Sequence, residues 1–264
     1  MTTDEPSAEP TDVVRENQIL TRKLARLEQN MRRLEGFNKQ NASLLKSVMG
    51  DLDEERAKSE RLLLNILPEA IAERLKTDPG VIADQFDSVT ILFADIVAFT
   101  PLSERMSAHQ TVVWLNDVYS AFDSFVQRNG VEKIRTIGDG YMVAAGVPTP
   151  RSDHATAIAG LAVDMRDHVA GLAPIGGQSV AIRIGINSGP VVGGVIGTHK
   201  FQYDIWGDAV NTASRMESHG LPGHIQITAA THDLIKDEFV CESRGTIDVK
   251  GKGEMKTWFV EGPG

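Results

Sequence analysis

Several features are scarce in this 264-residue chain, and each scarcity excludes a class of protein. A single cysteine, Cys241, excludes an internal disulfide and a cysteine-based zinc cage. The seven histidines are scattered without the spacing of metal ligands. No apolar run approaches the roughly 20 residues that span a bilayer. The chain has 27 Lys and Arg against 36 Asp and Glu, and this acidic balance argues against a nucleic acid partner.

What remains is the composition of a soluble globular protein, with 41% apolar and 24% charged residues. The N-terminus is acidic and polar, whereas a signal peptide begins basic and then becomes apolar. We therefore expect a cytoplasmic protein with no membrane span in this chain. If the chain is a fragment, we expect it to be the cytoplasmic part of a longer receptor, with a sensor or membrane domain upstream.

Residues 13–62 carry the heptad pattern of a coiled coil. Asn17 and Asn38 fall in the apolar seam, where a buried asparagine typically fixes the register and favours a parallel dimer. The alternative is one amphipathic helix lying on the globular part, although its apolar stripe would be wider than a seam. Together with these two asparagines, the other seam positions follow one another in alternating steps of four and three: Val13, Leu20, Leu24, Leu27, Met31, Leu34, Asn41, Leu45, Val48 and Leu52.

The chain is predicted to have four parts: a disordered tail over 1–12, the coiled coil over 13–62, a transducer helix and linker over 63–84, and a globular domain over 85–262. In the globular domain the pattern predicts βαββαβ, the ferredoxin-like split unit, with helices on one face of the sheet and a C-terminal extension. Ser188-Gly189-Pro190 predicts a turn between two of its strands. The fold class is therefore α+β.

Two carboxylates stand out in this domain. Asp95 ends a strongly apolar strand pattern, and a buried carboxylate there needs a cation or a proton. Asp139 lies in the Gly138-Asp139-Gly140 turn of a predicted hairpin, which by itself is an ordinary hairpin turn. In a split βαβ sheet these strands are neighbours, so the two carboxylates can meet. With no basic residue near them in sequence, they predict a hard-oxygen site for Mg²⁺ or Mn²⁺.

Two further segments suit phosphate. The strand-to-helix joint after Asp95 predicts free backbone N–H groups at Phe99 and Thr100, where a triphosphate could be bound. Lys250 and Lys252 alternate with glycines on a late hairpin, and a solvated basic turn is an equally good interpretation of them.

Four segments in order resemble the signatures of the class III nucleotidyl cyclases, and most closely those of bacterial adenylyl cyclases: FADIVAFT, IGDGYM, FQYDIWGDAVNTASRMES and VKGKGEMKTWFV. The resemblance covers roughly residues 62 to 260. It implies a homodimeric lyase whose active sites lie at the subunit interface, with two Mg²⁺ or Mn²⁺ ions in each. It also implies cyclisation of a nucleoside triphosphate by attack of the ribose 3′-oxygen on the α-phosphorus.

Matching positions imply the role of each site residue. Asp95 and Asp139 would bind the metals, with the Ile96 carbonyl as an added ligand. Asn211 would orient the ribose and Arg215 would stabilise charge on the reacting phosphate. The remaining two matches are Asp204, which would read the purine, and Lys250, which would bind the triphosphate.

One position departs from the family pattern. Arg135 occupies the place of the purine-reading lysine of adenylyl cyclases, and Lys133, two residues earlier, is expected on the same strand face but too far away to replace it. Because Arg135 can only donate and Asp204 can accept, the pair fits adenine better than guanine. We therefore predict ATP as substrate. The alternatives are a guanylyl or low-selectivity cyclase, and a catalytically silent dimerisation module.

Overall fold

The computed structural model describes residues 10–78, 80–197 and 201–264. The chain divides into two compact units between Leu62 and Leu63. Most of the predicted disordered tail, residues 1–12, lies outside the described residues, and the first helix begins at Pro10.

The first unit consists of a long helix, α1, which runs without interruption over Pro10–Leu64 for 55 residues. The apolar side chains of the predicted seam are exposed in the single chain, Leu24 and Leu27 by 61% each. The long helix is therefore confirmed, whereas its pairing into a coiled coil stays a prediction.

The second unit is a mixed α and β domain, and the predicted βαββαβ order is confirmed. Its first elements are α2 (Glu69–Thr77), β1 (Ala83–Ile96), α3 (Phe99–Ser103), α4 (Ala108–Asn129), β2 (Glu132–Ile137), β3 (Gly140–Ala145), α5 (His154–Ala170) and β4 (Ile182–Ile196). The extension adds β5 (Gln202–Trp206), α6 (Asp208–Ser218), β6 (Ile225–Thr228), α7 (Ala229–Ile235), β7 (Phe239–Val249) and β8 (Gly253–Pro263).

The described strands form one sheet in the order β2-β3-β1-β4-β6-β8-β7, with β5 paired to β4 outside this path. One core cluster joins the sheet to α4 and α5, through side chains such as Phe122 and Leu161. A second cluster lies on the opposite face, where Ala209 and Ala213 of α6 pack on β1 and β3. The helices of the split unit thus share one face as predicted, and α7 of the extension joins them there, whereas α6 covers the other face.

The prediction of a turn at Ser188-Gly189-Pro190 is wrong. Strand β4 is continuous through these three residues and is 15 residues long. The β1–β4 register jumps between the pairs Phe86↔Val191 and Val89↔Gly189, so two residues of β1 oppose Pro190 alone. A proline is tolerated at such a bulge because it has no N–H to contribute to the ladder. Strand β5, which pairs with the far half of β4, was not predicted.

Two separate helices follow the strand-to-helix joint after Asp95. The short α3 ends at Ser103, and α4 begins anew after Ser107. The Ser107 hydroxyl accepts from the Gln110 N–H at 3.3 Å, while the Gln110 side chain accepts from the Ser107 N–H at 2.9 Å. This reciprocal capping box starts a new helix, and so accounts for the break.

Candidate active site

Asp95 and Asp139 lie at the same end of the sheet. Strands β1 and β3 pair antiparallel, and the register places Asp95 opposite Gly140, the residue after Asp139. Gly138 has φ 62°, a left-handed conformation that glycine adopts without strain and that lets the β2–β3 turn close tightly. The predicted neighbourhood of the two strands is therefore confirmed.

The electrostatics of this end of the sheet favour a cation. Burial raises the pKa of Asp95 above its usual value, and the nearby charge of Asp139 raises it further. Burial and the same two carboxylates raise the pKa of Tyr119 to about 12. The Tyr119 hydroxyl donates to the Gly138 carbonyl at 3.4 Å, which ties α4 to the turn. A divalent ion would stabilise the charged form of Asp95, whose pKa burial and the neighbouring carboxylate raise.

The donor set fits hard divalent ions whose shells are completed by a substrate. Among residues 10–78, 80–197 and 201–264, no three His, Cys, Asp or Glu side chains form a group that could hold a metal. The protein thus offers two carboxylates and the main-chain carbonyls beside them, such as that of Ile96. Mg²⁺ commonly binds through one or two carboxylates together with substrate phosphates.

The tertiary structure supplies a basic partner that the sequence alone did not indicate. Arg183 of β4 lies directly across the ladder from Asp95 and donates to its Oδ2 atom at 2.8 Å. Arg183 also donates to Glu217 of α6 at 3.0 Å. The ion pair between Arg183 and Asp95 involves only the Oδ2 atom of Asp95. The signal was a lone arginine within the apolar alternation of AIRIGI, a strand next to that of Asp95.

Arg135 and Asp204 form an ion pair within one chain. Arg135 Nη1 donates to Asp204 Oδ2 at 2.6 Å, and the main-chain N–H of Ile205 donates to Oδ1 at 2.9 Å. The side chain of Asp204 is 11% exposed and that of Arg135 is 37% exposed. Arg135 Nε is buried and has no hydrogen-bond partner within the described residues. The two residues predicted to read the purine are therefore brought together.

The expectation that Lys133 lies on the same strand face as Arg135 is wrong. A bulge in β2 separates the pairs Lys133↔Val143 and Arg135↔Met142, so the two basic side chains lie on opposite faces of the sheet. Lys133 Nζ donates to Asp123 of α4 at 2.7 Å. The bulge therefore excludes Lys133 from the face on which Arg135 lies.

Asn211 and Arg215 lie four residues apart on α6 and therefore on one helix face. Asn211 is exposed and Arg215 is half-buried. Of the two hairpin lysines, Lys250 is exposed, whereas Lys252 contacts Asp208 in the first turn of α6. The structure thus brings Lys252 to the helix that carries Asn211.

The strand-to-helix joint after Asp95 leads into α3, which begins at Phe99. Ala98 has φ 54°, a left-handed conformation unusual for a residue with a side chain. The Phe99 ring packs against the core and stacks on Trp114 at 6.5 Å between centroids, whereas Thr100 is exposed. The backbone N–H groups of Phe99 and Thr100 lie in the first turn of α3, where they have no partner within the helix.

Residues 81–262 match the family model described as "Adenylate and Guanylate cyclase catalytic domain". The chain belongs to the class III nucleotidyl cyclase family. Members of this family generally use divalent metals, in agreement with the donor set of Asp95 and Asp139. No helix in the described part of this cyclase chain is long and apolar enough to cross a bilayer.

Relatives of both substrate types resemble this cyclase. It is 48% identical over 212 residues to an adenylate cyclase of Mycobacterium tuberculosis, which covers 80% of this chain and 48% of the relative. It is 43% identical over 218 residues to guanylate cyclase soluble subunit beta-2 of Rattus norvegicus, covering 82% and 32%. The chain thus spans about half, or less, of the length of these relatives.

Solved structures resemble the globular unit. The guanylate cyclase domain of RhGC from Catenaria anguillulae, in complex with GTP, has a TM-score of 0.66 and 40% identity, covering 69% of this chain and all of that one. The adenylyl cyclase CyaB from P. aeruginosa has a TM-score of 0.62 and 30% identity, covering 68% and 95%. These comparisons establish a nucleotidyl cyclase domain and leave ATP and GTP as candidate substrates.

Proposed function

We propose that this cyclase converts ATP to 3′,5′-cyclic AMP and pyrophosphate at a homodimer interface. The observation that carries the choice of ATP is the 2.6 Å ion pair between Arg135 and Asp204. In the proposed reaction the ribose 3′-oxygen forms a bond to the α-phosphorus. The bond from that phosphorus to the bridging oxygen breaks, and pyrophosphate leaves.

The polarity of the pair matches adenine. Adenine presents an acceptor at N1 and a donor at its exocyclic amine, whereas a guanidinium only donates and a carboxylate only accepts. Guanine in the same orientation would place its oxygen against Asp204 and its N1–H against Arg135. Because the side chain of Asp204 is 11% exposed, an oxygen facing it is poorly relieved by water. The adenylate cyclase relative from Mycobacterium tuberculosis supports the same choice.

Other residues of the chain are proposed to bind the metals, to orient the ribose and to stabilise charge on the α-phosphate. Asp95, Asp139 and the Ile96 carbonyl would hold two Mg²⁺ or Mn²⁺ ions, which acidify the 3′-hydroxyl and neutralise phosphate charge when bound. The side chain of Asn211 orients the ribose. Arg215 stabilises the charge that develops on the α-phosphate.

Three further contacts are proposed for the triphosphate chain. Lys250 supplies a cation from the β7–β8 turn. The backbone N–H groups of Phe99 and Thr100 donate from the joint after β1. Each of these groups holds the phosphates in place while the 3′-oxygen approaches, which lowers the entropic cost of cyclisation.

Two copies are proposed to assemble in parallel through the seam of α1 and through the globular unit. The exposed apolar seam of α1 supports this, since water-exposed leucines at heptad spacing are stabilised by a second helix. The guanylyl cyclase domain of the RhoGC fusion protein from Blastocladiella emersonii, 39% identical with a TM-score of 0.64, is a non-canonical dimer, which supports self-association but not this particular arrangement. In this arrangement one chain provides Asp95 and Asp139, and its partner provides Arg135, Asp204, Asn211 and Arg215.

The test is cyclic nucleotide formation by the purified chain, with ATP and GTP side by side and Mg²⁺ or Mn²⁺. We expect cyclic AMP, and we expect Asp95→Ala to abolish it. An equal mixture of Asp95→Ala and Arg215→Ala chains should recover about a quarter of the wild-type rate, because half of the dimers are mixed and each has one intact site. Activity in Asp95→Ala alone would contradict the metal assignment, and absence of rescue would contradict shared sites.

A second candidate is a guanylyl or low-selectivity cyclase. It is favoured by the rat guanylate cyclase relative at 43% identity and by arginine at position 135. A guanidinium is larger than an ammonium group and offers more donors, so its fit to one base is less selective. Equal or faster turnover of GTP in the same assay would establish this alternative.

A further inference from the structure

Helix α6 rests directly on the backbone of β4. A Cβ atom added at Gly185 would lie 1.9 Å from the backbone nitrogen of Glu217, so no side chain separates strand from helix there. The helix carries Asn211 and Arg215, and Glu217 belongs to its last turn. The position of Arg215 is therefore set by this close contact with the sheet and by the hydrogen bonds to the last turn, of which the Arg183–Glu217 pair is one.

A buried glutamine provides another of these hydrogen bonds. Gln226 of β6 is 0% exposed, and its Nε2 atom donates to the carbonyl of Met216 at 3.0 Å. The last carbonyls of a helix have no partner within the helix, so this amide satisfies a group that would otherwise be buried alone. Met216 directly follows Arg215 in the chain. The backbone next to the proposed phosphate-stabilising residue is thus tied to the sheet.

Arg244 of β7 fixes the glutamine in this orientation. Arg244 contacts the Gln226 side-chain oxygen, which leaves the amide nitrogen directed at the helix. The same Nη1 atom donates to the carbonyl of His219, just past the end of α6, at 2.6 Å. The Arg244 guanidinium also lies over the ring of Phe259, at 5.4 Å from the ring centroid. Because the Arg244 guanidinium can only donate, it faces the oxygen of the Gln226 amide and so holds that amide in one orientation.

Asn187 holds the first turn of α6 in a similar way. Its Nδ2 atom donates to the Ala209 carbonyl at 3.0 Å, and its Oδ1 atom accepts from the Thr228 hydroxyl at 2.7 Å. Asn187 is 6% exposed. Ala209 lies six residues before Arg215, at the other end of α6, so the effect of Asn187 on Arg215 is expected to be weaker than that of Gln226.

We propose that Gln226, oriented by Arg244, is a positioning residue for cyclisation because it fixes the Arg215 end of α6. The proposal rests on the proposed function, in which Arg215 stabilises charge in the transition state. Gln226 is fully buried, so it acts through the helix and not by touching the nucleotide. Loss of this hold should lower kcat and leave the KM for ATP nearly unchanged, because the purine contacts of Arg135 and Asp204 lie on other elements.

The test compares Gln226→Met with Thr257→Val. The methionine keeps the length of the side chain and removes both amide contacts. We expect kcat to fall about tenfold or more, since small misplacements of catalytic groups cost up to about a hundredfold, with KM changed less than about twofold. Thr257 of β8 is also 0% exposed, and its hydroxyl donates to the Gly245 carbonyl at 3.4 Å, outside α6, so its valine variant should keep the wild-type kcat.

Arg244 provides a second series that leaves the buried glutamine in place. Arg244→Met should lower kcat in the same direction, and Arg244→Lys, which keeps a cationic donor, should recover part of it. Hydrogen exchange of the peptide covering residues 208–218 should accelerate in Gln226→Met and Arg244→Met, and not in Thr257→Val. This readout does not depend on activity.

The outcomes separate this proposal from the proposed function. A wild-type chain that forms no cyclic nucleotide would contradict the proposed function, while the exchange experiment would still test the hold on α6. Unchanged exchange in both series would overturn the proposal. Faster exchange with an unchanged kcat would also overturn it, because α6 would then be loosened without consequence for the reaction.

Discussion

Replacing Arg135 with lysine tests how this cyclase distinguishes ATP from GTP. In the structure Arg135 Nη1 is bound to Asp204 Oδ2, whereas its Nε donor is buried without a partner in the described residues. A buried unmatched donor costs about 1–3 kcal/mol. Because the Arg135 side chain is 37% exposed, we take the low end, about 1 kcal/mol. An acceptor on guanine can satisfy this donor and so favour GTP, whereas lysine keeps the cation and lacks the donor.

The expected result is a rise of about fivefold in the ratio of kcat/KM for ATP to that for GTP, which corresponds to about 1 kcal/mol. The assay is initial-rate formation of each cyclic nucleotide over a range of substrate concentrations. Lys133→Arg is the matched control, because Lys133 lies on the opposite face of the sheet and pairs with Asp123. It should leave the ratio unchanged. A ratio that stays constant or falls in Arg135→Lys would refute the reasoning.

Two further predictions concern stability. Gly185→Ala should destabilise the fold by about 3 kcal/mol, because the added Cβ would meet the backbone of α6 at 1.9 Å. Urea unfolding measures this, and Gly262→Ala, with nothing within 4 Å, is the control; equal midpoints would contradict the close packing. Burial raises the pKa of Glu132 to about 7, so folding favours its neutral form. That contribution is complete below the usual pKa near 4.5 and is lost as pH rises towards 7, by up to about 3 kcal/mol. Thermal unfolding between pH 5 and 8 should therefore show a slope that Glu132→Gln removes, and the same slope in both proteins would exclude Glu132 as its source.

Much of the fold was predictable because its signals are local. The βαββαβ order agrees with the prediction, since each of its elements has its own periodicity of apolar residues. The turn at Ser188-Gly189-Pro190 was wrong for a physical reason. A proline and a glycine usually break a strand, but here a bulge in the neighbouring β1 accommodates the proline, and that bulge belongs to another part of the chain.

The candidate site likewise contains some contacts that could be predicted from the sequence and others that could not. Asp95 and Asp139 could be paired from the sequence because hairpin and split-unit topology place their strands side by side. The face on which Lys133 lies could not be predicted, since one extra residue in β2 reverses it. Arg183 was missed because its partner Asp95 is 88 residues away in the chain.

By itself the sequence determined the kinds of chemistry available: two acids for metals, a donor and acceptor pair for a purine, and an apolar seam on a long helix. These follow from residue type and short-range spacing. Apart from the pairing of Asp95 with Asp139, only the tertiary structure decided which groups meet. The parallel pairing of β4 with β6 places Gln226 beneath α6, and the β1–β4 ladder places Arg183 against Asp95. Such contacts depend on strand register, which is set by the packing of the whole sheet and not by any one segment.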